Sequence, residues 1–281
     1  MINHKRLGDL LFFCVSFVAL VQVALLAMLS DVVISFIESK IRFCYAIISG
    51  VVRFDPAVFT VDFMIMVTYL LIWIALLLKL GSKLLAVSFK IITSHRYIKS
   101  LVVKTRQDIR LIINRKDLVF TAGFLSPQVF VSSNIRSRLE ANEYKAVIEH
   151  EFFHARNYHP LKKLLLELFL FSFPRFIASR IMKSYEELTE IAADDYARKR
   201  GATNKEIASA LVKLWEIDAH MGYYAVSFLQ TRSRIGTITG AKESVFKYSF
   251  LFLLISSLFL FLMITFINGQ ELLLSCKIAY Y

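Results

Sequence analysis

His150, Glu151 and His154 stand in the order His-Glu-Phe-Phe-His, and on a helix this HExxH spacing can build a metal site. Residues four apart are separated by about 40° around a helix, so both imidazoles project from one face and can hold one Zn²⁺ between them. Glu151, one position on, reaches the side of the metal where a bound water lies, and a carboxylate there can act as general base. For the motif alone, a pair of satisfied surface histidines is the plainer alternative. A catalytic zinc also needs a third protein ligand and a fourth position open to water. Glu186, Glu187, Glu190, Asp194 and Asp195 offer that ligand further along. Glu190 and Asp194 are four apart and share a helix face, so one can bind metal while the other accepts the ring N–H of a ligand histidine. Glu186 and Asp195 better fit a solvated acidic face. His159 is a candidate fourth ligand that would close the site and make the zinc structural, but Pro160 is expected to end the helix first.

These side chains need two helices brought together. Tyr144, Val147, Ile148 and the aromatics after them predict a helix over residues 143–157. Ile181, Leu188, Ile191, Ala192 and Tyr196 predict another over 180–199, ended by Gly201 behind the basic run Arg198 to Arg200. Ahead of both, residues 101–104, 109–113, 118–121 and 129–132 are rich in Val, Ile and Phe and separated by polar turns, the pattern of short strands. Gly123 and Pro127 mark the bend before the last of them. After Ser133 the pattern is helical almost to the end, without repeats or low-complexity tracts.

The 281 residues are 57% hydrophobic and 20% charged, against about 45–50% and 25% in an ordinary soluble domain. That balance excludes disorder, collagen and a small disulfide scaffold. Residues 10–29, 63–78 and 248–267 contain no charge at all. A helix needs about 20 mostly apolar residues to cross a bilayer. The first and third blocks reach that length, and the second does when extended to 61–80 with Asp62 and Lys79 at its ends. We therefore expect three transmembrane helices. The first follows Lys5 and Arg6 as a signal peptide would, but it is longer than an ordinary signal core and no small-x-small site closes it, so it is expected to stay uncleaved.

The formal net charge of +12 falls entirely between the second and third blocks, where residues 79–247 carry 28 Lys and Arg against 16 Asp and Glu. Lys79, Lys83, Lys90, Arg96, Lys99, Lys104 and Arg106 follow the second block without an acid among them, and such an excess faces the cytoplasm. The expected topology places the N-terminus inside, residues 30–60 outside, a domain at 81–247 inside, and the residues after 267 outside. Beside anionic lipid a basic surface is accounted for. No DNA-reading motif accompanies it, so direct nucleic-acid binding is not expected.

Residues 32–54 carry Glu38, Lys40 and Arg42 mid-run, costly at a bilayer centre, and fit an interfacial amphipathic helix. Residues 164–173 contain Glu167, end at Pro174 and Arg175, and suit a buried or membrane-dipping helix. Cys14 lies in the first span. Cys44 and Cys276 share the outer side and could pair in an oxidising compartment, although free thiols are the plainer reading.

The pairing of HEFFH at 150–154 with EIAAD at 190–194 is similar to the HExxH and ExxxD pair of membrane-embedded gluzincin peptidases. FTAGFLSPQVFVSS at 120–133 resembles the segment before the metal helix in BlaR/MecR-type antirepressor metallopeptidases. His159-Pro160-Leu161 resembles that family's Asp-Pro-Leu, with His159 replacing the usual acid. The resemblance covers about residues 101–235. It implies a mainly α fold with a small β-sheet, a minimal gluzincin domain within a multi-pass membrane protein. It implies one Zn²⁺ per chain on His150, His154 and Glu190, with Glu151 as general base and Asp194 orienting a ligand histidine. Arg234, in Arg234-Ile235, resembles part of an Arg-Ile pair late in related domains and is the expected oxyanion donor, with His220 and Tyr223 as alternatives. In related folds the edge strand over the zinc pairs with extended substrate, which implies residues 129–132. The HtpX or CAAX-protease group shares HExxH and ExxxD, while residues 123–133 and Pro160-Leu161 favour the antirepressor type.

Antirepressor receptors continue past their last span into an extracellular penicillin-binding sensor, whereas Asn268 to Tyr281 follow the last block here. This chain is therefore not expected to acylate a β-lactam, and a signal would enter through residues 30–60 or a separate sensor protein. The expected function is a zinc metalloendopeptidase of the bacterial cytoplasmic membrane. Its substrate would be a protein in the cytoplasm or at the membrane surface, such as a transcriptional repressor. The alternatives are a membrane quality-control protease and a non-catalytic signal transducer.

Overall fold

The computed structural model describes residues 4–51, 61–101, 103–106, 109–113, 119–215 and 226–227. Two long helices come first, α1 (His4–Ile48) and α2 (Val61–Ser100). Four strands follow, β1 (Val103–Arg106), β2 (Ile109–Ile112), β3 (Val119–Ala122) and β4 (Gln128–Ser132). Next come helices α3 (Ile135–Arg138), α4 (Ala141–Arg156), α5 (His159–Phe169), α6 (Arg175–Lys199) and α7 (Asn204–Trp215), and a two-residue strand β5 (Val226–Ser227). The fold is mainly helical with a small mixed sheet, as expected. The described residues form two compact units, one of residues 4–15 with 84–227 and one within 16–83.

Helix α1 does not stop where its uncharged run ends at Leu29. No Gly or Pro occurs between Asp9 and Ile48, so nothing interrupts the backbone hydrogen bonds when charged residues appear. Residues 32–48 are thus an extension of α1 rather than a separate helix. It ends at Gly50, which adopts φ 73°. The Gly50 N–H reaches the Ile47 carbonyl at 3.0 Å and the Val51 N–H reaches Ala46 at 2.9 Å, the paired bonds of a Schellman cap. Within this unit the Trp73 indole N–H donates to the Ser30 hydroxyl at 3.1 Å. His4–Ala24 in α1 and Leu70–Ser100 in α2 are long and apolar enough to cross a membrane. The expected span at 248–267 and Cys276 lie outside the described residues.

In the other unit the strands run in the order β1-β2-β4-β3-β5, parallel only between β2 and β4. Alternation along the strands sends successive side chains to opposite faces. Val119, Val129 and Val131 pack with Ala146, Val147 and Ile148 of α4, while Phe120, Ala122, Ile112 and Phe130 face Ile98 and Leu101 at the end of α2. Phe120 and Phe130 stack with centroids 5.3 Å apart. The β3–β4 turn needs Gly123 (φ 102°), because a Cβ there would lie 2.6 Å from the Ser126 carbonyl oxygen. β4 is paired on both sides, with β2 and β3. The expected substrate edge at 129–132 is therefore corrected: both rows of its backbone groups are already used.

Helix α7 covers the far side of α4 with Ile207, Ala210, Leu211 and Leu214. Ile207 and Leu211 are fully buried, worth about 1.5–3 kcal/mol each. The same contact encloses a charge. Glu143 in the first turn of α4 accepts from Lys213 Nζ at 2.7 Å on both oxygens, from the Ser209 hydroxyl, and from the Glu140 backbone N–H at 2.9 Å. Burial alone would raise its pKa, but these donors together outweigh burial and hold it below the ordinary carboxylate value. A carboxyl whose folded pKa is lowered adds stability above its unfolded pKa and loses it as pH falls through the folded value. Glu143→Gln is expected to cost roughly 1.5–3 kcal/mol at neutral pH and to flatten the acid limb of stability. Thermal melts of both proteins from neutral into acid pH check this, and parallel profiles would contradict it.

Helix α5 and the short 3-10 turn after it, Leu170–Ser172, fill the expected apolar stretch. Its one acid, Glu167, is paired with Lys90 of α2, and Lys162 donates to Asp9 of α1 at 2.7 Å. Phe12 of α1 lies against Phe169 and Tyr185. Residues 4–15 of α1 and 84–100 of α2 thus belong to the unit that carries the candidate site.

Candidate metal centre

Small side chains let α6 approach α4. Ala192 and Ala193, the centre of the Glu-Ile-Ala-Ala-Asp run, pack on Phe153 with Tyr196 alongside. Bulky residues there would hold the helices apart; alanines bring Glu190 and Asp194 to the histidine face of α4. His150, Glu151 and His154 are 0% exposed, Glu190 1% and Asp194 4%.

The Nε2 atoms of His150 and His154 are 3.0 Å apart, and they lie 3.3 Å and 3.5 Å from Glu190 Oε2 and Oε1 respectively. Ligands on arms of about 2.0–2.2 Å around a tetrahedral Zn²⁺ are separated by roughly 3.3–3.6 Å. Two imidazole lone pairs and a carboxylate converging in a dry interior form a donor set that a divalent cation satisfies. Among the described residues these three form the group able to hold a metal ion. Asp194 does not join them. Its Oδ1 accepts from His150 Nδ1 at 2.9 Å, on the ring edge facing away from Glu190. The choice the sequence left open between the two acids is thereby settled as geometry: Glu190 faces the Nε2 pair, and Asp194 backs His150.

His159, weighed as a fourth ligand, does not join this group. A sharp turn at Tyr158 (φ 53°, ψ 37°) separates α4 from α5 and returns His159 to the outer edge of the His154 ring, Nδ1 to Nδ1 at 2.6 Å. Burial first, then the positive charge of Lys162, His150 and Lys5, push its pKa down to about 3. Pro160 lies in the first turn of α5, where its missing N–H costs nothing.

Glu151 is held by a residue that motif reading overlooks. The Thr121 hydroxyl lies 2.7 Å from Glu151 Oε2 and 2.9 Å from the Glu151 carbonyl oxygen. It has one proton for two acceptors, so it can donate to the ionised carboxylate. It can equally accept from a protonated one while donating to the carbonyl. One contact thus serves both protonation states. The available signal was a lone hydroxyl in a strand that is otherwise apolar, Val119 to Ala122.

The remaining acids stay outside this group, partly buried and ion-paired. Asp195 pairs with Arg198 and with His4, the latter at 3.1 Å; Glu186 pairs with Lys163, and Glu187 with Lys183 at 3.8 Å. Arg234, His220 and Tyr223 lie outside the described residues. No protein-family model matches this chain, and no curated protein matches it.

Proposed function

We propose that the chain is a zinc-dependent endopeptidase of the membrane. The observation that carries the reading is a buried group of three side chains able to hold a metal ion, His150, His154 and Glu190, beside a buried acid that is not part of it. Closed structural zinc sites normally have four protein ligands, whereas catalytic sites have three and keep one position open. A structural site has no use for Glu151.

Bound Zn²⁺ supplies Lewis acidity and lowers the pKa of a water to about 7. Glu151 takes the proton of the attacking water and returns it to the leaving amine. Thr121 holds the Glu151 carboxyl in place during both transfers, and Asp194 holds His150 in the tautomer whose Nε2 carries a lone pair. All of these groups are buried, so a peptide reaches them only through an opening of the fold. The two membrane-length stretches in α1 and α2 and the basic residues after Lys79 support a cytoplasm-facing site at an inner membrane. The likeness to antirepressor peptidases supports a cytoplasmic protein, such as a transcriptional repressor, as substrate.

Mass spectrometry of new N-termini in cells carrying the wild type or a His150→Ala/His154→Ala variant tests the proposal. Termini that require the intact histidines are expected; identical sets would contradict it.

Thr121→Val keeps the shape of the side chain and removes the hydroxyl. A hydrogen bond to a charged group is worth roughly 1.5–3 kcal/mol, or about 10- to 100-fold in rate. Turnover is expected to fall by that factor with bound zinc unchanged. An unchanged rate would show that Glu151 needs no such support.

A further inference from the structure

We propose that His159 is a positioning residue for His154: its Nδ1 accepts the Nδ1 proton of His154, fixing that ring as an Nε2 ligand. The inference rests on the metal reading above and assigns the second ligand histidine its partner.

The 2.6 Å contact between the two Nδ1 atoms has room for one proton. His154 Nε2 lies with the His150 Nε2 and Glu190 oxygens and must present a lone pair there to bind metal. The His154 proton is therefore on Nδ1, and His159 meets it with a lone pair, keeping its own proton on Nε2. Three features hold the His159 ring at this edge. The left-handed Tyr158 starts α5 directly behind α4. Phe153 stands edge-on to the His159 ring at 5.3 Å. Tyr185 closes another side at 6.5 Å. A bulky residue in the left-handed region is uncommon and costs energy, and the turn it makes is what returns His159 to His154.

The two ligand histidines are consequently unequal. The Asp194 carboxylate draws on the His150 N–H and makes that ring the stronger donor; the single ring nitrogen that His159 offers does less for His154. An outer partner of a ligand histidine typically contributes about 10- to 100-fold in metal affinity.

The test is Zn²⁺ affinity of the purified full chain in detergent, measured by competition with a chromophoric chelator, with the visible spectrum of the Co²⁺-substituted protein as a second readout. An Asn Oδ1 falls near the position of a His Nδ1, so His159→Asn retains a neutral acceptor while losing the ring. His159→Asp supplies an anion at that place, and His159→Ala supplies nothing. The expected order of affinity is Asp at or above wild type, Asn near wild type, and Ala about 10- to 100-fold weaker, with the Co²⁺ spectrum altered in Ala and preserved in Asn. If His159 only packs against Phe153 and Tyr185, Asn loses as much affinity as Ala, and the inference is overturned. It is equally overturned if Ala binds as the wild type does. A wild type that binds no Zn²⁺ overturns the metal reading itself, an outcome distinct from both.

Discussion

Glu151→Gln is expected to lower peptide hydrolysis by roughly 10²- to 10⁴-fold, the usual contribution of a general base, while zinc stays bound. The substitution is nearly isosteric, and its amide oxygen can still accept from the Thr121 hydroxyl, 2.7 Å from Oε2 in the wild type. His150, His154 and Glu190 are untouched, so the metal site should load as before. What is lost is the ability to take a proton from water and hand it to the leaving amine. The check pairs a cleavage assay on an unfolded polypeptide with metal analysis of the same preparation. Wild-type rates would remove Glu151 from the chemistry, and an empty site would make it part of the metal's support.

Glu190→Ala is expected to empty the site. It removes the only anion among the three ligands and leaves two neutral imidazoles with their Nε2 atoms 3.0 Å apart. Losing a direct ligand should cost more than the roughly 10- to 100-fold in affinity attributed to an outer partner. Asp195→Ala, five residues along the same helix, is the natural control. It breaks pairs with Arg198 and His4 on a partly exposed surface, which are worth about 0–1 kcal/mol, and metal binding should be indifferent to it. Equilibrium dialysis against Zn²⁺ distinguishes them; stoichiometric zinc in Glu190→Ala would mean that the carboxylate is not a ligand.

Much of this site was legible in the sequence because it is written in local spacing. His150 and His154, like Glu190 and Asp194, are four positions apart, and helical geometry puts each pair on one face. What spacing could not supply was anything set by chain reversal. The order of strands in the sheet depends on pairing between distant segments, so β4 read as an edge and proved to be interior. Thr121 faces α4 because β3 alternates above that helix, a fact outside any short motif. His159 was weighed as a ligand because it lies five residues past His154, and only the left-handed Tyr158 shows that it returns to the opposite ring edge. The length of α1 escaped for another reason. Hydropathy reports the solvent a segment prefers, whereas a helix ends where the backbone is released, here at Gly50.

The most direct measurement is the metal content of the purified full chain in detergent, joined to X-ray absorption at the zinc edge. The expected result is one Zn²⁺ per chain, with two imidazole nitrogens and one carboxylate from the protein and one position left to solvent. A preparation that carries no transition metal and takes up none when zinc is added would contradict it.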